Sequence, residues 1–116
     1  MSNGRAWLDE ATFGCAVVQG ADRWEIRLEG EIDLAVRPAL DDALQTALSV
    51  DGTGDVALDL RAVTFADSSA VAWLLAADRR IRGHGGQMTI VGCSATVRDL
   101  LRLTGIDGRL ALVDHG

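Results

Sequence analysis

Residues 55–75 read "DVALDLRAVTFADSSAVAWLL", and the change of character at Asp67-Ser68-Ser69 decides the fold. Before the polar trio, residues 55–60 form a short alternating run rich in Val and Leu, the pattern of a buried strand. After it, Ala70, Leu74, Ala77 and Ile81 recur at helical spacing, with Val71 on the flank. Trp73 and Arg80 fall toward the far side of that wheel, and Asp78 and Arg82, four residues apart, are placed to pair weakly. A strand that passes through three small polar residues into a helix is half of a βαβ unit. Helices of this length between strands imply a parallel or mixed sheet with right-handed crossovers.

The same grammar extends in both directions. Upstream, residues 14–20 are a short apolar run. Residues 23–30 alternate Trp24, Ile26 and Leu28 against Arg23, Glu25, Arg27 and Glu29, a strand with one wet face, and residues 20–22 (Gly-Ala-Asp) supply the turn. Val36, Leu40, Leu44 and Leu48, joined by Ala39, Ala43 and Ala47, make a helical stripe, with Pro38 in its first turn and Asp41-Asp42 on its wet side. Residues 51–55 end that element. Downstream, residues 82–86 (Arg-Gly-His-Gly-Gly) stop the second helix and residues 87–93 are a strand. A third helix follows, with Ser94 as N-cap, Val97, Leu100, Leu101 and Thr104 inward, and Gly105 as its stop with Ile106 folding back onto the last turn. Residues 109–113 are a final short strand. The order is β-β-α-β-α-β-α-β, an α/β domain whose mixed sheet carries helices mainly on one face. Residues 1–12 read as an N-terminal arm, with Trp7 and Leu8 as candidates to pack on the body, and residues 13–116 as the single domain.

Composition narrows the function. The 116 residues suffice for one domain with one core. No apolar run approaches the ~20 residues of a membrane span, and the N-terminal segment has no apolar stretch of the secretory kind, so a cytoplasmic location without membrane insertion is expected. The net charge of −6 argues against direct nucleic-acid binding, which needs Lys and Arg against phosphates. All 11 basic residues are Arg; Lys and Tyr are absent, which fits a GC-rich bacterial genome. Cys15 and Cys93 sit in Val-rich runs, as small hydrophobes do, and His84 and His115 have no second ligand near them, so neither a disulfide nor a metal site is expected. No phosphate-binding loop is present. "GTG" at 52–54 lacks the third glycine of a dinucleotide fingerprint, since position 57 is Ala57, and no Gly-x-Ser-x-Gly surrounds Ser68 or Ser69. With no catalytic residues to name, the chain does not read as an enzyme.

Three stretches then carry a family resemblance: residues 28–40 ("LEGEIDLAVRPAL"), 56–75 ("VALDLRAVTFADSSAVAWLL") and 85–107 ("GGQMTIVGCSATVRDLLRLTGID"). Together, in this order and at this spacing, they resemble the STAS domain, in particular the bacterial anti-sigma-factor antagonists, over residues 14–113. The resemblance implies a phosphoprotein of sigma-factor control. Ser68, first serine of the Asp-Ser-Ser/Thr-Gly motif, would be the phosphoacceptor, with Asp67 as the motif aspartate and Asp33 as the acidic residue of the Gly-Glu-Leu-Asp turn near it. The implied partners are an anti-sigma factor that is also an ATP-dependent serine kinase, bound by the unphosphorylated form and released by phosphorylation, and a PP2C-type phosphatase that reverses the switch. ATP and metal belong to those partners, and no cofactor is implied for this chain. The motif glycine is Ala70 here, which suits a helix but sets a Cβ where a kinase backbone would approach. Many relatives also carry another helix after the last strand. Ala70 and that missing helix keep a second reading open: a STAS scaffold that is never phosphorylated, or a cytoplasmic subunit of a lipid or anion transport system.

The plainer reading of the trio is an N-cap, worth ~1 kcal/mol, and it is compatible with the switch. Ser69 is assigned mainly to capping and Ser68 to phosphorylation. Asp33, Asp67, Ser68, Ser69 and Trp73 are the expected partner-binding residues, Trp73 as an exposed aromatic on the helix that starts at the switch.

Overall fold

Strands β1 (Arg5–Trp7), β2 (Phe13–Gln19) and β3 (Trp24–Ile32) are followed by helix α1 (Arg37–Leu48), β4 (Val56–Ala66), α2 (Ser68–Gly83), β5 (Met88–Cys93), α3 (Ala95–Leu103) and β6 (Ala111–Leu112) in the computed structural model. It describes residues 5–7, 13–49, 54–106 and 108–112. The expected order holds, with one strand added: Arg5–Trp7, inside the segment read as an arm, pairs antiparallel with β2. The side chain of Trp7, all of Leu8, residues 51–53, Val113 and His115 lie outside what is described.

The six strands of the described residues lie in sequence order in one sheet. β1, β2 and β3 pair antiparallel and β3 to β6 pair parallel. Three successive parallel crossovers step the same way across the sheet, and the right-handed sense such connections take puts their helices on one face. Val17, Ile26, Leu58 and Ile90 align across four strands on that face. Leu40, Ala43, Leu44 and Ala47 of α1, Ala70, Leu74, Ala77 and Ile81 of α2, and Val97 and Leu101 of α3 are buried against it. The other face is wet, as the alternation of β3 requires. Glu25 bonds Arg27 at 2.9 Å, Asp59 bonds Arg61 at 2.8 Å, and Arg27 and Asp59 are register partners. The Arg61 guanidinium holds the Asp59 carboxyl below the usual carboxylate range. Such exposed pairs contribute little to stability.

Gly30 and Gly86 are among the glycines that geometry requires. Gly30 takes φ 90° at an irregularity in the β3–β4 register. Gly86, where the chain leaves α2 for β5, lies so close to the Gly54 carbonyl that a Cβ would collide with backbone. Element ends differ from the sequence expectation in one consequential place. β4 runs on to Ala66, six residues past Leu60. Thr104 was expected inward. It is instead exposed, and its hydroxyl donates to the Leu100 carbonyl at 2.8 Å, closing the end of α3.

Candidate functional site

The extra length of β4 builds the site. Leu60 is the last β4 residue paired with β5, whereas pairing with β3 continues until Ile32 lies opposite Ala66. Asp33 and Asp67 are the next residues on these neighbouring strands. Two carboxylates therefore leave the sheet side by side, on strands spaced about 5 Å apart, at the carboxyl edge where open α/β sheets place their sites.

Each aspartate closes the turn that follows it. Asp33 Oδ1 accepts the Ala35 N–H at 3.0 Å and caps a 3-10 turn at Leu34–Val36. Asp67 is the N-cap of α2: its Oδ1 accepts the Ser69 N–H at 3.0 Å and also the Ser69 hydroxyl. The Ser69 hydroxyl, with the backbone N–H groups of the first turn, holds the Asp67 carboxyl below the usual range. Ser69 is thus the committed capping partner. Ser68, the first residue of α2, is exposed, and its hydroxyl bonds to no described residue. Among the described residues no side chain bonds to it as a base would. The described histidine, His84, is the C-cap at the opposite end of α2, about 24 Å away for a helix of 16 residues. No three potential metal ligands cluster among the described residues.

Asp33, Asp67, Ser68 and Ser69 lie at one edge of the sheet, where β3 and β4 end. Trp73 does not join them. It is 2% exposed, and its Nε1–H donates to Asp41 Oδ1 of α1 at 2.9 Å. The expectation of an exposed anchor failed because the wheel measured α2 against the sheet alone. The flank it called far is covered by α1, where Gln45 also accepts from Arg80 at 2.8 Å. Asp41, assigned to the wet side of α1, is half-exposed and faces the indole. Ala70 is 5% exposed and lines a small apolar void with Ile32, Ala66, Trp73 and Leu100. Its Cβ is turned into the domain rather than to solvent.

Two residues the sequence reading passed over belong to this edge. Leu34, in the turn capped by Asp33, is 69% exposed, and Phe65, two residues before Asp67, is 48% exposed. The signal was available as a large apolar residue within two positions of each motif aspartate, but alternation alone assigned neither to solvent.

Comparison with known proteins gives a family and a fold. The family described as "Mlab, STAS domain" matches residues 15–114. Anti-sigma-B factor antagonists of Staphylococcus aureus are 26% identical over 83 residues, covering 72% of this chain and 76% of theirs. An anti-sigma factor antagonist from Mycobacterium paratuberculosis superposes with a TM-score of 0.75 at 25% identity, over 86% of this chain and 84% of that one. The anti-sigma factor antagonist SpoIIAA in its unphosphorylated form gives 0.71 at 20% identity, over 87% and 89% of the two chains.

Proposed function

The chain belongs to the STAS domain family, and from that premise we propose that it is a bacterial, cytoplasmic anti-sigma-factor antagonist that binds an anti-sigma factor with serine kinase activity and is released when Ser68 is phosphorylated. The observation that carries the choice of residue is the division of labour at the head of α2. Ser69 is bound by Asp67 through both its N–H and its hydroxyl, while the Ser68 hydroxyl stands exposed and uncommitted. A kinase reaches Ser68 without breaking a cap. A phosphate there adds ~1.5 to 2 negative charges beside Asp33 and Asp67. The domain tolerates this charge at a helix N-terminus, and a partner surface closed over the same edge does not. A PP2C-type phosphatase restores the binding form. Leu34 and Phe65, exposed within two residues of Asp33 and Asp67, supply apolar area of the kind that anchors an interface.

The decisive experiment is incubation with an anti-sigma-factor kinase and Mg-ATP, with fragment mass spectrometry to locate the phosphate. Phosphate on Ser68 supports the reading. Phosphate confined to Ser69 or Ser94 overturns the assignment. Binding without any phosphate gives the scaffold reading instead. That alternative drew on Ala70, whose inward Cβ removes this ground for it.

A further inference from the structure

We propose that Asp41 is a positioning residue for the Ser68 switch, acting through the buried indole of Trp73 to fix the head of α2. This rests on the reading of Ser68 just given. The Asp67 cap fixes the backbone of the first turn of α2, but the side chains beneath that turn are small and give it little lateral support. Beneath it lies a void of about 10 Å³, lined on this side by the short side chains of Ala66 and Ala70. That space is one water in size and wholly apolar, so it stays dry and its walls lack partners. Trp73 is the large side chain that α2 sends to the rim of that void. Its only polar atom is satisfied from another element, by Asp41 on α1 at 2.9 Å.

The path from Asp41 to the switch is short. Ala66 and Ile32, which share the void with Trp73, immediately precede Asp67 and Asp33. Without the Asp41 carboxylate the indole N–H is a buried donor with no acceptor, which costs more than the bond itself contributed. The ring then turns to find water, and the turn of α2 that bears Ser68 loses its lateral stop. The second α1–α2 bond, Arg80 to Gln45, lies two turns further along α2 and is exposed. It holds the far half of the helix and leaves the head to Trp73.

Amide hydrogen exchange and the indole ¹H–¹⁵N resonance of the full chain test this without a kinase. The Trp73 signal is identified with Trp73→Phe. In Asp41→Ala the indole resonance should shift, and the Ser69, Ala70 and Val71 amides should exchange about tenfold faster relative to amides of β4 and β5, the factor expected for one lost buried acceptor. Asp41→Asn keeps an acceptor oxygen and should behave as the parent protein does. Gln45→Ala, which cuts the other bond, should leave the head of α2 unchanged. Uniform acceleration throughout the domain in Asp41→Ala would reduce Asp41 to a general stability residue. Failure of Asn to rescue, or equal loosening by Gln45→Ala, would equally overturn the proposal. Since phosphate is not measured, these outcomes are separate from the identity of the phosphoacceptor.

Discussion

Ser68 and Ser69 are adjacent and chemically alike, yet Ser69 is engaged in the Asp67 cap while Ser68 is exposed, and substitution should separate them. Ser68→Ala should keep full affinity for the anti-sigma factor and resist switching off. Ser68→Asp, which brings one charge next to Asp33 and Asp67, should bind more weakly, and calorimetric titration of both variants measures the difference. Equal affinities would place residue 68 outside the contact. Leu34→Ser should weaken binding by about 1–2 kcal/mol and leave the melting temperature unchanged, because the side chain is already 69% exposed. Trp73→Ala should do the opposite and cost ~3–5 kcal/mol of stability by thermal or denaturant unfolding, as truncation of a buried tryptophan does. The contrast shows what a sequence discloses at this scale. The polar trio announced itself because three hydrophilic residues between a strand and a helix need a reason. Trp73 was misplaced because its neighbour, α1, is 32 residues away along the chain, and no wheel of α2 contains it.

At the scale of elements, the head of α2 is held by a charged cap and should show it in acid. The folded-state pKa of Asp67 is depressed, so the cap contributes fully above the ordinary carboxylate value of about 3.9 and is lost as pH falls through the lower folded value. Asp67→Asn retains a capping oxygen that does not titrate. The parent protein should therefore melt at the higher temperature near neutral pH, and the two curves should converge as the solution is acidified below about pH 3.9. A constant offset across that range would mean that ionisation of Asp67 is not part of its capping. The other sensitive joint is between α2 and β5. Gly86→Ala drives a methyl group into the Gly54 backbone, which cannot swing aside as a side chain does, and should cost about 3 kcal/mol or more. Helix positions were legible from spacing because each stripe is regular. The reach of β4 was not. Arg61 and Ala62, both exposed, interrupt the alternation where the pairing with β3 slips register. The strand continues through an irregularity that the pattern reads as an end.

For the whole molecule, class and face were readable because β3 alternates and the intervening helices dictate parallel neighbours. Which strands stand at the edges was not, since Arg5–Trp7 is too short to declare itself against the flanking residues. The strand order has a consequence for how the chain is made. Each strand lies beside the one synthesised just before it, so none has to be inserted between two that are already paired. As the polypeptide leaves the ribosome, β4 can dock on β3 and β5 on β4 in the order in which they emerge, each parallel pairing closing over the helix that lies between its two strands. Asp33 and Asp67 are brought together by the docking of β4 on β3 alone. The pairing that sets these two carboxylates side by side therefore does not wait for β5, α3 or β6 to dock, and a folding chain can hold this edge while its other half is still unformed.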